Sequence, residues 1–221
     1  MKRNNNSIKQ KINQFIRKYY LNQIISGFLI FTLLTIILLF IIAVFEYFYS
    51  FNTQIRTILF YSLISYATVL FVYKVFIPTF KFSGVFSTIS YHHAAKIIGK
   101  HFKEISDKLL NLLQLEEKAR NHKDKALLID SINQKSKEIS TYSFSDAIDI
   151  IKNNRKLIRY SSIFSLLFVL SLVFVPNLFS KPLQRVINHN KEFIKPLPYN
   201  ITIENQNLEV PQNEDFNLVL S

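Results

Sequence analysis

Histidine residues are the first candidates for chemistry in this 221-residue chain, because imidazole binds metal ions and exchanges protons near neutral pH. His92 and His93 are adjacent, and His101 lies about two helical turns beyond His93. Imidazoles that far apart do not ligate one metal ion, and no H-E-x-x-H motif accompanies them. His122 and His189 are isolated in the sequence. We therefore predict no metal site and no cofactor, and expect these histidines to face solvent or lipid headgroups.

The paired carboxylates are better explained by helix electrostatics than by acid–base catalysis. Glu116 and Glu117 precede Lys118, an arrangement typical of ion pairs on the surface of a helix. Asp146 and Asp149 would lie in the first turn of a helix, where the helix dipole favours negative charge. The chain also has no Cys and only three Gly, which excludes thiolate chemistry and a glycine-rich phosphate loop. We predict no catalytic residue and no enzyme activity in this segment.

Three long apolar segments dominate the chain and must position any functional residues that it has. Residues 24–45 carry no charge and would reach about 33 Å as a helix, enough for a hydrocarbon core of roughly 30 Å. Residues 57–77, which include Lys74 near their end, and residues 160–180 form two further segments. The absence of other ionisable side chains disfavours a proton pump or an ion-coupled transporter. We predict three transmembrane helices, the first two forming a hairpin over residues 24–78.

The distribution of basic residues predicts the orientation of these spans. Six basic residues precede the first span, and only Arg56 lies between the first span and the second. The positive-inside bias therefore places the N-terminus in the cytoplasm and the C-terminus outside. Basic and aromatic residues near the ends of the spans are predicted to contact lipid headgroups. These predicted lipid-interface residues are Lys9, Lys11, Arg17, Lys18, Tyr19, Tyr20, Lys74, Arg159 and Tyr160.

Residues 1–23 have the pattern of a basic amphipathic helix. Apolar residues recur at helical spacing, and the basic residues fall largely on other faces. We expect this helix to lie on anionic lipid, which would also account for the formal net charge of +12. An ordinary basic flank that only sets the topology is an equal alternative. No base-stacking module or zinc finger accompanies the charge, so nucleic acid is not a predicted partner. The apolar positions are Ile8, Ile12, Phe15, Ile16 and Tyr19.

Residues 79–159 are predicted to form a cytoplasmic helical module between the second and third spans. Three or four helices are expected, and their predicted first residues or caps are polar. Nothing breaks the last helix before Pro176, so a rod of about 45 Å could run from Ser145 into the third span. The predicted helix starts are Ser90, Ser106 with Asp107, Asp124, and Ser145 with Asp146.

The last 41 residues differ in character, because four of the six prolines lie there. Residues 181–199 are predicted to be a linker with a short helix around Val186. In residues 200–221 apolar and polar residues alternate, which predicts the first strands of an extracytoplasmic domain resembling a β-sandwich. Because a hairpin alone is marginally stable, we expect the chain to be the N-terminal part of a longer protein. The fold class is thus an all-α membrane protein followed by the start of a β-domain.

Three sequence stretches are distinctive: NQFIRKYY at residues 13–20, AAKIIGKHF at residues 94–102 and SDKLLNLLQL at residues 106–115. Together they resemble the N-terminal region of a family of large, uncharacterised envelope proteins of bacteroidetes. Lys103 follows Phe102 where the family pattern favours proline, a small departure. The resemblance implies three N-terminal spans, followed outside by β-rich domains and long helical or coiled-coil regions. We accordingly expect a location in the bacterial inner membrane, with the C-terminus in the periplasm. It supplies no catalytic residues.

From these observations we expect an inner-membrane anchor and scaffold that tethers a large extracytoplasmic region. The alternatives are a signalling or force-transmitting subunit, and a membrane enzyme whose catalytic part lies elsewhere. The expected partners are a bilayer with anionic headgroups and proteins of the membrane or periplasm. The oligomeric state stays open.

Overall fold

The computed structural model describes residues 3–121 and 126–193, and these residues are all-helical, without a strand. The predicted all-α class is confirmed for them, while the predicted strands of residues 200–221 lie outside the described residues. The helices are α1 (Arg3–Tyr49), α2 (Thr53–Phe71), α3 (Ile77–Phe82), α4 (Tyr91–His101), α5 (Ser106–Asn121), α6 (Ala126–Ile139), α7 (Ile150–Phe174) and α8 (Ser180–Ile187). A π-helical turn (Val72–Phe76) joins α2 to α3, and 3₁₀ turns occupy Lys103–Ile105 and Phe144–Ala147.

Three helical stretches are long and apolar enough to cross a membrane, which indicates a multi-pass membrane protein. They are Ile8–Tyr49, Thr53–Phe82 and Phe144–Phe174. Most of the large side chains along them, such as Ile58, Tyr73 and Phe174, are exposed, as lipid-facing residues are. The first span packs against both of the others, and extensive contact between the second and third is lacking in the described residues.

The helix α1 is a single element of 47 residues that includes both the predicted amphipathic helix and the first span. No proline interrupts it, because the first proline of the chain is Pro78. At 1.5 Å per residue it is about 70 Å long, more than twice the thickness of a hydrocarbon core. It ends where Ser50 adopts a left-handed conformation, with φ of 44°.

The second span contains a π-helical turn just before Pro78. Pro78 has no N–H to donate to the carbonyl of Lys74 four residues earlier, so the regular α-helical bond is lost at this point. The Lys74 carbonyl lies against Gly27 of α1, so close that a Cβ atom at Gly27 would overlap it. Glycine at position 27 is therefore what allows the first two spans to approach each other here.

The helix α7 is shorter than the predicted rod. A predicted start at Ser145 is wrong, because Phe144–Ala147 is a 3₁₀ turn and Asp149 is the N-cap of α7. The Asp149 side chain accepts a hydrogen bond from the Lys152 N–H at 3.0 Å, which stabilises an extended backbone at position 149. The helix ends at Phe174, short of Pro176, and the short helix predicted around Val186 is confirmed as α8.

The N-terminal part of α1 is the centre of a compact helical domain. Ile8, Ile12 and Phe15 are at most 1% exposed, because they pack with apolar residues of α4, α5, α6 and the second 3₁₀ turn. The predicted lipid-facing role of this apolar face is therefore wrong. Full burial of such a side chain contributes about 1.5–3 kcal/mol relative to leaving it in water, and the packed helices of the domain supply that burial here. Other core residues are Ala94, Ala95, Ile98, Leu109, Leu112, Ile132, Ile139, Phe144 and Ile148.

Two predicted helix starts in this domain agree with the structure. Ser90 caps α4 by accepting a hydrogen bond from the His93 N–H at 3.2 Å, as predicted. The next helix begins at Ser106, as predicted. The predicted start at Asp124 lies outside the described residues, which resume with α6 at Ala126.

Candidate functional site

A buried polar cluster joins α1 to α7 where the helical domain meets the spans. Asn154, near the start of α7, is a polar residue that is only 1% exposed. The part of α7 that follows Tyr160 is mainly apolar. The Asn154 amide nitrogen donates to Asn22 Oδ1 at 2.8 Å and to the Ile150 carbonyl at 2.8 Å. The Ser26 hydroxyl donates to the Asn154 side-chain oxygen. A hydrogen-bonded amide in an apolar contact fixes the register of the two helices, because any slip would leave buried polar atoms unpaired.

A buried ion pair closes the opposite end of the spans, at the α1–α2 turn, which we call the hairpin end (residues 50–52). Arg56 Nε donates to Glu46 Oε1 at 2.9 Å, and the two residues are 2% and 0% exposed. The second Glu46 oxygen, Oε2, is buried and has no hydrogen-bond partner in the described residues. The guanidinium lies 5.0 Å from the ring centroid of Phe193, so residues after α8 also cover the pair.

The helix α8 contributes to the same end of the molecule. Its residues Pro182 and Val186 are buried where it packs on α1 and α2. Phe179, just before it, makes an edge-to-face contact with Phe40 of α1, with ring centroids 4.9 Å apart. Because α8 follows the third span and rests on the first two, it holds the three spans together at the hairpin end.

Ion pairs and a tyrosine link the elements of the helical domain. Lys9 Nζ lies 2.7 Å from Glu116 Oε2, whereas the sequence favoured pairing of Glu116 within its own helix. Tyr142 donates a hydrogen bond to Glu104 Oε2 at 2.9 Å. This bond, together with the negative charge of Glu104, raises the pKa of Tyr142 above its ordinary value. His92 and Glu117 form an exposed contact of 3.5 Å.

Most of the predicted lipid-interface residues on α1 contact protein instead. Lys11 donates to the carbonyls of Ser140 and Tyr142, the latter at 3.2 Å, and Lys18 donates to the Ser145 carbonyl at 2.9 Å. These bonds, with the Lys9–Glu116 pair, attach α1 to the loop before α7 and to α5.

The aromatic and remaining basic members of that set divide into two groups. Tyr20 is 2% exposed, and its hydroxyl accepts a hydrogen bond from the Ile89 N–H at 3.0 Å, so its predicted lipid contact is wrong. Tyr19 is half-buried between Phe15 and Tyr20, and Arg17 lies over the Phe82 ring at 5.4 Å. The other three members, Lys74, Arg159 and Tyr160, are exposed, and their contact with headgroups stays a prediction.

The histidines and carboxylates do not assemble a metal centre in the part of the chain that the structure describes. His189 instead contacts the second span: its Nδ1 is 3.1 Å from the Thr57 hydroxyl, and its ring lies 4.5 Å from that of Phe60. This contact further attaches the segment after α8 to α2.

Sequence reasoning missed both polar contacts between spans. In the sequence analysis, Arg56 is used only in the count of basic residues that predicts the orientation of the spans. Neither Glu46 nor Asn154 is assigned a partner. A carboxylate and a guanidinium ten residues apart, on either side of a tight transmembrane hairpin, would have been a usable signal for the Glu46–Arg56 pair. No comparable signal joins Asn154 to Asn22, which are 132 residues apart.

Comparison with known proteins adds no relative. No protein-family model matches the chain, and neither curated proteins nor solved structures gave a match.

Proposed function

We propose that the chain is a three-span anchor of the bacterial inner membrane that tethers an extracytoplasmic region to the membrane and to a cytoplasmic helical domain. The observation that carries this proposal is the double role of α1. The same helix supplies Ile8, Ile12 and Phe15 to the core of the helical domain and then continues as the first span. The domain therefore has no flexible connection to the membrane at this point.

The arrangement of the spans supports a scaffold role. With three spans, the two ends of the described chain would lie on opposite sides of a membrane. The excess of basic residues before the first span favours a cytoplasmic N-terminus. Buried polar contacts also join α1 to each of the other two spans: Asn22 and Ser26 contact Asn154 of α7, and Glu46 pairs with Arg56 of α2. Such contacts favour one arrangement of the helices over a loosely associated bundle.

Reporter fusions test the topology on which this proposal depends. We expect a reporter at residue 125 to be active only in the cytoplasm, and a reporter at residue 200 to be active only outside. Fusion at residue 88, between α3 and α4, is a matched control and should behave like residue 125. Activity of the reporters at residues 125 and 200 on the same side would contradict the proposal.

A second candidate is a subunit that transmits force or a signal across the membrane. The continuity of α1 favours it, since a helix without a break from the domain to the hairpin end moves as one body. A Gly-rich insertion after Leu21, which interrupts α1 between the domain and the first span, should then uncouple the domain from the outer region. Full function of a chain with that insertion would favour simple anchoring.

A further inference from the structure

Two cavities adjoin at Phe51, at the hairpin end. The first is a groove of about 580 Å³ between α1 and α2. The second, of about 570 Å³, lies around the α1–α2 turn and the start of α2. Phe51 lines both cavities, so an elongated molecule in the groove would have one end in the second cavity.

The groove is apolar and lies within the two spans. Its walls include Leu38 and Ile41 of α1 and Leu59 of α2, and Ser62 and Tyr66 are the lining residues with polar side chains. The Ser62 hydroxyl already donates to the Leu59 carbonyl at 2.9 Å. Such a groove suits an acyl chain. Because lipid tails surround the spans everywhere, this groove alone cannot select one lipid over another, and selectivity must come from the second cavity.

The second cavity offers groups that bind a phosphate. Arg56 lines it, and its guanidinium, which donates through Nε to Glu46, is the one positively charged side chain among the described residues that line this cavity. The first turn of α2 faces the same space through Asn52 and Thr53. The Asn52 side chain accepts a hydrogen bond from the Ile55 N–H. The two N–H groups that precede it in the helix, those of Thr53 and Gln54, have no partner within the helix and can bind an anion.

The same cavity also offers a group that binds a cation. Glu192 lines it, is exposed, and takes part in no salt bridge among residues 3–121 and 126–193. Arg56 is shared between Glu46 and the cavity, so Glu46, Arg56 and Glu192 together carry a formal charge of −1, which disfavours a headgroup without a cation. A headgroup with a phosphate and a nearby ammonium therefore complements this cavity better than a headgroup that carries only negative charge.

We propose that this cleft binds one zwitterionic aminophospholipid, phosphatidylethanolamine being the simplest. An acyl chain lies in the groove between α1 and α2, the phosphate lies at Arg56 and the first turn of α2, and the primary ammonium lies at Glu192. Phosphatidylcholine lacks N–H donors for Glu192, and phosphatidylglycerol lacks the cation. The proposal requires a membrane-embedded hairpin but not the anchor role proposed above.

Native mass spectrometry of the full chain tests the proposal directly. The chain in detergent is mixed with equal amounts of phosphatidylethanolamine, phosphatidylcholine and phosphatidylglycerol that have identical acyl chains. We expect a single bound lipid, with phosphatidylethanolamine retained about tenfold more than either competitor, which corresponds to about 1.4 kcal/mol. Equal retention of the three lipids would overturn the proposal.

Two matched serines of α2 test the groove. Ser62→Phe fills the groove, whereas Ser65→Phe places the same ring on an exposed position that does not line it. We expect about a tenfold loss of bound lipid for S62F and none for S65F, with equal thermal unfolding of the two variants. Equal retention by both variants would overturn the assignment. So would a dimer that S62F abolishes, because a second copy would then occupy the groove.

Glu192→Gln tests the headgroup assignment separately. This change should abolish the preference for phosphatidylethanolamine over phosphatidylcholine while one phospholipid remains bound. An unchanged preference would contradict the placement of the ammonium. None of these measurements depends on the reporter fusions, so the lipid site and the proposed anchor role fail or succeed independently.

Discussion

Glu46 and Arg56 form an ion pair with both side chains withdrawn from solvent at the hairpin end. Such a pair gains less than its geometry suggests, because both charges lose their hydration. Removal of one partner is much more costly, since the other is left as an uncompensated buried charge. Here the free Oε2 atom of Glu46 makes the carboxylate particularly dependent on Arg56.

We predict that Arg56→Gln destabilises the protein by about 3–5 kcal/mol, because Glu46 then lacks its counter-charge. The double variant Glu46→Gln with Arg56→Gln should recover a large part of this loss, since two amides can pair with each other. Unfolding in mixed detergent micelles, followed by circular dichroism, measures both variants. If the double variant is as unstable as the single one, the two side chains are not energetically coupled.

Tyr142 gives the helical domain a pH dependence with a definite sign. Its pKa is raised in the folded state because it donates a hydrogen bond to Glu104 and lies near that negative charge. A raised folded pKa means that the stabilisation is fully present below the ordinary tyrosine value of about 10 and is lost as pH rises through the folded value.

We therefore predict that Tyr142→Phe lowers the thermal stability of the domain at pH 8, and that the difference from the parent chain disappears at the highest pH tolerated. Thermal melts at several pH values between 8 and 11 measure this difference. Tyr91→Phe is the control, because no hydrogen bond from the Tyr91 side chain is present in the described residues. A difference that does not change with pH would exclude Tyr142 titration as its source.

At the scale of elements, α1 depends on two kinds of packing. Its first part is covered by other helices of the domain, and its middle part approaches the second span through Gly27. A single substitution can test each of these contacts.

We predict that Ile12→Ala destabilises the helical domain by about 2–5 kcal/mol, because it leaves a cavity at a position that is 0% exposed. The nearby Gln14→Ala is the control, since Gln14 is exposed, and it should change stability by no more than about 0.5 kcal/mol. Chemical unfolding in micelles measures both. A negligible effect of both substitutions would restore the interpretation that this helix face lies on lipid.

For the middle of α1, we predict that Gly27→Ala weakens the contact between the first two spans by about 1–3 kcal/mol, because the new methyl group meets the Lys74 carbonyl. Val44→Ile adds a methyl group at an exposed position of the same helix and should be nearly neutral. Cross-linking of cysteines placed on α1 and α2, or unfolding in micelles, measures the loss. Equal behaviour of the two variants would show that the helices separate without cost.

The sequence predicted the elements better than their contacts. The spans and the Ser90 cap are determined by residues that are close together in the chain, so local sequence patterns are enough to predict them. The burial of Ile12 depends on residues of α4, α5 and α6 that are far away in the chain, and its apolar face has the same pattern whether lipid or protein covers it. The start of α7 was misplaced because two aspartates, at 146 and 149, compete as caps, and local sequence does not decide between them.

At the scale of the whole molecule, α1 connects the helical domain to the hairpin end without interruption. Because a helix rises 1.5 Å per residue, Gln10 and Tyr47 should be separated by about 55 Å along one axis. Both residues are exposed, and the chain has no native cysteine, so a Gln10→Cys and Tyr47→Cys variant can be spin-labelled directly.

We predict a single narrow distance distribution near ~55 Å for this labelled pair by pulsed electron paramagnetic resonance. Three glycines inserted after Leu21, between the domain and the span, should broaden and shift the distribution, because glycine disfavours the helix at that point. The same insertion after Gly84, in an exposed connection, should leave the distribution unchanged. A broad distribution in the parent chain would mean that the domain moves independently of the spans. The membrane segment would then hold the domain as a tether, and the continuity of α1 would no longer favour transmission across the bilayer.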